Sequence, residues 1–208
     1  MMTLVTPDLL SELIALYTSP SRHYHSLSHI KSLLNLLSTH RAHFSDAAAV
    51  EAAIWYHDAV YDPQAAAPSN EVRSAELAGA RLANSVEPKR LEWIRKVIVA
   101  TATHALPEGL GCKEEEGDAR LFLDMDLSIL GADEDKFDEY EAAVRKEYES
   151  VGEEMWRAGR AAVLKGFLQR GRIYQSELFR GLYEEKARAN MRRSLEGLGV
   201  GSEEQGDT

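Results

Sequence analysis

The sequence predicts an all-α protein, folded as a single compact helical bundle. Three observations carry this. Apolar residues recur three and four apart through most of the chain. Capping residues and prolines mark where helices start and stop. No stretch alternates apolar and polar residues with the period of a strand, and there is no internal repeat or heptad seam.

Thr6-Pro7-Asp8 opens the first helix, with a capping hydroxyl, proline at the first position and an acid in the first turn. Leu10, Leu13, Ile14 and Tyr17 follow at helical spacing, and Ser19-Pro20 ends the segment. Leu27, Ile30, Leu33, Leu34 and Leu37 give a second stripe, capped by Ser26 or Ser28. Residues 47–61 form a third helix that is apolar nearly all round, which predicts a place in the middle of the fold. Asp62-Pro63 stops it. Residues 69–86 read as a fourth helix and 88–103 as a fifth. The β-branched run VIVATAT would suit a strand, but Leu91, Ile94 and Ile98 keep helical spacing. ALPEGLGCKEEEG, 105–117, reads as a mobile loop. Three more helices are expected near 133–150, 153–170 and 175–196. The domain thus spans 1–196, and 197–208 is a disordered acidic tail.

The 208 residues carry 24 bases and 34 acids, a net charge of −10. Such a balance argues against long nucleic acid as a partner, since that needs clustered Lys and Arg. It leaves room for a small phosphorylated substrate in a local basic pocket. One cysteine, Cys112, excludes an internal disulfide and fits a reducing compartment. No apolar run reaches the ~18 residues of a membrane span. The first residues lack the pattern of a signal peptide. A cytoplasmic location is expected.

Three segments place ionisable groups against apolar backgrounds. RHYHSLSHI, 22–30, holds His23, His25 and His29. His25 and His29 have chelating spacing, but a cap at Ser26 or Ser28 would leave His25 outside the helix. WYHDAVYD, 55–62, sets His57 beside Asp58. By itself His57 could be a core histidine bonded to a carbonyl, with Asp58 on a solvated edge. FLDMDLSILG, 122–131, adds Asp124 and Asp126. Convergence of such groups in a bundle core is how helical proteins build metal sites.

The chain resembles the HD-domain superfamily, and within it the predicted metal-dependent HD phosphohydrolases of bacteria and fungi. The resemblance rests on RHYHSLSHI, WYHDAVYD, NEVRSAEL, ATATH, FLDMDLSILG, VRKEY, GRAAVL and FLQRGRIY, in order from about Arg22 to Asn190. It implies an all-helical fold of the HD type. It implies a divalent metal ion (Mn, Fe, Co, Ni or Zn) held by His29, His57, Asp58 and Asp126, with Asp124 the alternative to the last. The implied activity is hydrolysis of a small phosphate ester, phosphodiester or nucleotide by metal-activated water.

Supporting roles follow from the same resemblance. Glu71 would relay a proton, or else only complement its helix dipole. Asp62 would orient a ligand histidine, or else only end its helix. His104 would bind phosphate or a second metal, or be a helix-end cation. Arg22, His23 and His25 would line the pocket, and Arg145, Arg160 and Arg170 would clamp phosphate. Two other readings stay open: a non-catalytic helical module binding metal or nucleotide, and an HD-type hydratase or oxygenase.

Overall fold

The structure, a computed structural model, describes residues 3–199. Among these are nine α-helices, two short 3-10 turns and no strand. None of the helices is long and apolar enough to cross a membrane. The chain divides into two compact units, Met1–Asp126 and Leu127–Thr208, so the expected 1–196 span contains two clusters of helices.

The first unit contains α1 (Pro7–Tyr17), α2 (Leu27–Thr39), α3 (Ala47–Tyr56), α4 (Ser69–Leu82), α5 (Pro88–Ala100) and α6 (Lys113–Asp126). Helix α1 starts as its sequence demands: Thr6 is the N-cap and its hydroxyl accepts from Leu9 N, with Pro7 next. Helix α3 is the centre. Every one of its residues except Glu51 is buried, and α2, α4, α5 and α6 all pack on it. Its N-terminus is fixed twice. Asp46 caps Ala49 N at 3.1 Å and forms an ion pair with Arg90. The buried Asp118 of α6 accepts from Ser45 N at 2.9 Å and Asp46 N at 2.7 Å. Burial pushes the Asp118 carboxyl up, against the pull of those two N–H groups.

Several boundaries differ from expectation, among them the end of α4, at Leu82 instead of residue 86. Helix α3 stops at Tyr56 instead of residue 61. Arg22 takes the carbonyls of Asp58 (2.6 Å) and Ala59 (2.9 Å), and Ser74 Oγ takes Val60 N (3.0 Å), so the backbone is drawn out of the helix. Helix α5 ends at Ala100, and His104 beyond it adopts φ +53°. The loop expected over 105–117 is corrected at its far end. Residues 113–117 open α6, where Glu114, Glu115 and Glu116 lie in the first turn and complement the helix dipole. The Trp93 indole N–H anchors this turn on Glu115 O at 3.0 Å.

The second unit contains the 3-10 turn Leu127–Gly131, then α7 (Glu134–Glu147), α8 (Glu153–Leu168) and α9 (Glu177–Gly197). Helix α9 packs on the 3-10 turn and on α8. Asn190 donates to the carbonyls of Leu130 and Ala132 (3.0 and 2.9 Å), and Tyr174 OH donates to Leu127 O at 2.9 Å. Gly131 lies so near α9 that a Cβ there would come within 2.5 Å of Tyr183 Cβ. The tail expected from 197 begins in the last turn of α9; residues from 200 onward lie outside the described residues.

Candidate metal centre

The ends of three helices in the first unit bring a small group of side chains together. His29 is in the first turn of α2, with Ile30 and Leu33 fixing that turn in the core. His57 is the C-cap of α3, and Asp58 follows it. Asp126 is the last residue of α6. Asp124 is buried two positions earlier, about 200° around the helix. That rotation is why Asp126, and not Asp124, joins the two histidines.

His29, His57 and Asp126 form a group able to hold a metal ion, with ligand atoms all within 4.8 Å of one another. His29 Nε2 lies 3.2 Å from His57 Nε2 and 3.1 Å from Asp126 Oδ1. His57 Nε2 is 3.4 Å from Asp126 Oδ1. Asp58 Oδ2 is 3.0 Å from His57 Nε2 and 3.8 Å from His29 Nε2. Bonds of ~2.0–2.2 Å to one ion put neighbouring ligand atoms about 3.3–3.6 Å apart in a tetrahedron, and about 2.8–3.1 Å apart at right angles. The observed separations fall in and around those ranges.

The tautomer of His57 sharpens the fit. Its Nδ1 lies 2.9 Å from Ile54 O, and a carbonyl can only accept, so Nδ1 carries the proton. Nε2 is thereby aimed at another imidazole nitrogen and two carboxylate oxygens. So many acceptor atoms in a buried place call for a cation between them, a proton or a metal ion. With no ion bound, a proton on Nε2 takes that place. Burial works to hold His57 neutral, but Asp58 and Asp126 outweigh it and raise its pKa. Burial likewise favours the neutral form of Asp58, but His57 and then His25 outweigh it and hold the carboxyl well below its usual range. Asp126 is also held low: burial opposes ionisation, and His57, His104 and His29 overcome it.

His104 turns out to be a partner of the candidate ligand Asp126. Its backbone N–H closes a turn on Ala100 O at 2.7 Å, the left-handed φ swings the ring inward, and Nε2 donates to Asp126 Oδ2 at 2.9 Å. A left-handed residue at a helix end is usually glycine or asparagine. That a histidine takes the position gave no signal in the sequence.

The other expected residues divide. His25 lies outside α2, stacked on Tyr61 with ring centroids 4.3 Å apart, within electrostatic reach of Asp58. Glu71 is in the first turn of α4, and its Oε2 is buried with no hydrogen-bond partner. Asp62 is exposed, and its Oδ1 accepts from Gln64 N at 2.9 Å. It shapes a turn, and orienting His57 falls to Ile54 O instead. Arg22 is spent on the carbonyls of His25, Asp58 and Ala59, with Tyr17 and Tyr61 under its guanidinium. It clamps the His57-Asp58 segment, and the cavity it lines holds none of the candidate ligands.

Arg145 and Arg160 belong to the second unit and are engaged there. Arg145 donates to Tyr148 O at 2.7 Å and pairs with Glu153. Arg160 is buried and pairs with Glu141 and Tyr140 OH. Arg170 lies over the Phe167 ring. Missed in the sequence were Tyr17, whose buried hydroxyl donates to Trp55 O at 3.0 Å, and Tyr24, whose ring centroid is 4.9 Å from that of His29.

No family model matches the chain, and neither a curated protein nor a solved structure matches it.

Proposed function

We propose that this chain is a cytoplasmic, metal-dependent hydrolase of the HD-domain type, acting on a small phosphate ester, phosphodiester or nucleotide. What supports the reading is the convergence of His29, His57, Asp58 and Asp126, whose neighbouring donor atoms are 3.0–3.8 Å apart. Two imidazoles and two carboxylates suit Mn²⁺, Fe²⁺, Co²⁺, Ni²⁺ or Zn²⁺, and such an ion supplies Lewis acidity and water activation near neutral pH.

The side chains divide the remaining work. His29, His57, Asp58 and Asp126 hold the ion, and Ile54 O fixes the tautomer that aims His57 Nε2 inward. His104 holds the carboxylate of Asp126 in line. His25, braced on Tyr61, offers a ring N–H to an anionic substrate. Glu71, with one buried oxygen uncommitted, takes up the proton released when water attacks phosphorus.

One observation favours a second reading. Arg22, expected to line the pocket, and Arg145 and Arg160, expected to clamp phosphate, are all engaged with protein groups. A site without such a clamp would suit a helical module that keeps a metal ion, or senses a nucleotide, without turnover. Elemental analysis of the purified protein, followed by assay against a panel of phosphate esters and nucleotides, separates the readings. Bound divalent ion with phosphate release is expected. Bound ion with no release across the panel favours the module, and absence of any ion sinks both.

A further inference from the structure

A second cavity lies in the first unit, away from the candidate ligands. It has a volume of about 710 Å³, within the range of small-molecule sites. Residues of α1 and α4 form its walls, and Tyr56 with residues 59–61 line its inner side. None of His29, His57, Asp58, His104 or Asp126 lines it.

Its chemistry is that of a site for an organic anion. Three arginines, Arg22, Arg73 and Arg81, line it beside one acid, Glu12, in a chain whose net charge is −10. Arg22 is occupied by backbone carbonyls, and Arg81 is paired with Glu12 at 2.9 Å. Arg73 makes no hydrogen bond, ion pair or ring contact among the described residues. Arg73, Leu77 and Arg81 are four apart on α4 and so share the face that lines the cavity.

A second polar group lies in the inner wall. Tyr56 is 1% exposed, and its hydroxyl is buried with no hydrogen-bond partner. A buried hydroxyl without a partner costs about 1–3 kcal/mol, a cost a ligand atom would remove. The apolar part of the lining includes Leu16, left 40% exposed at the surface of α1, together with Leu13, Leu77 and Val60.

We propose that this cavity binds an organic anion, a carboxylate or phosphoryl head on a short aromatic or aliphatic body, at a site separate from the histidine cluster. Arg73 meets the charge, the Tyr56 hydroxyl donates to a head-group oxygen, and Leu16 and Leu77 cover the body. This does not depend on the hydrolase reading.

Calorimetric titration of the full chain with phenylphosphonate tests it, because the P–C bond survives any phosphatase activity. Binding is expected in the native chain and in Asp126→Asn. It should weaken at least about tenfold in Arg73→Ala, the scale of one lost charge-assisted hydrogen bond. Inorganic phosphate, which has no apolar body, should bind more weakly than phenylphosphonate. Absence of binding overturns the proposal, as does equal binding by Arg73→Ala or equal affinity for inorganic phosphate. Loss of binding in Asp126→Asn also overturns it, since the anion would then belong to the histidine cluster.

Discussion

Two groups of buried charge, one in each unit, solve the same problem in opposite ways. In the second unit Arg160 donates to both oxygens of Glu141 and to Tyr140 OH, and Ser194 Oγ donates to Glu141 Oε2. Nearby in sequence, Glu184 accepts from the N–H groups of Ile173 and Tyr174 and from Arg188, which also donates to Leu168 O and Arg170 O. Donors face acceptors throughout, and Tyr140 and Glu141 raise the pKa of Arg160 against the pull of burial. In the first unit a single nitrogen, His57 Nε2, faces an imidazole nitrogen and two carboxylate oxygens. Burial of charge therefore does not by itself mark a site. The mark is a set of acceptor atoms that outnumber the donors facing them.

The contrast breaks most visibly at Asp126. Asp126→Ala should remove divalent-ion binding, by more than the 10–100-fold that loss of a merely supporting partner costs. Elemental analysis after dialysis reads this directly, and retained stoichiometric ion would show that the cluster is not the site. In the self-satisfied pair the loss should be of stability. Arg160→Ala leaves Glu141 buried without its cation, and urea unfolding should show about 3–5 kcal/mol less stability with ion content unchanged.

A smaller effect tests the left-handed turn. His104→Ala should weaken ion affinity about 10–100-fold while the circular dichroism spectrum stays as in the native chain. If affinity is untouched, His104 does not position Asp126. The smallest effect concerns Tyr56, an unsatisfied polar atom that is no ligand. Tyr56→Phe should be neutral to about 1 kcal/mol stabilising at pH 7.

The same variant carries a pH signature. Burial first, then Glu12 against the opposing Arg81, pushes Tyr56 up to about 12 in the folded chain. A tyrosine in the unfolded chain titrates near ~10. The folded pKa is the higher one, so stability is whole below about pH 10 and is lost as the pH rises toward 12. Tyr56→Phe should lose less over that window when unfolding is followed from pH 9 to 12. Identical alkaline profiles would remove Tyr56 from the account.

Much of the scaffold could be read from the chain alone. Thr6-Pro7 marked the start of α1, and the apolar run from Ala47 placed α3 at the centre, because caps and periodicity are local signals. The end of α3 could not be read, since it depends on Arg22, more than thirty residues earlier. The acidic run before Gly117 looked like a loop because its partner, the Trp93 indole, is distant in sequence. At the site, the histidines and the His57-Asp58 pair stood out against apolar neighbours. The choice between Asp124 and Asp126 became physical only once both lay on one helix. The arginines misled because a guanidinium that clamps phosphate and one that clamps a buried glutamate look identical in sequence. His104 was visible, but its attachment to Asp126 was not.

Cys112 is exposed, is the chain's one thiol, and stands directly before the helix that ends in Asp126. Fourteen residues of helix make that rod about 20 Å long. A spin label or fluorophore attached at the thiol would sit at the far end of a rigid ruler from the candidate ion. Paramagnetic Mn²⁺ or Co²⁺ arriving at the carboxylate would then announce itself spectroscopically at a known remove, without any substrate in hand.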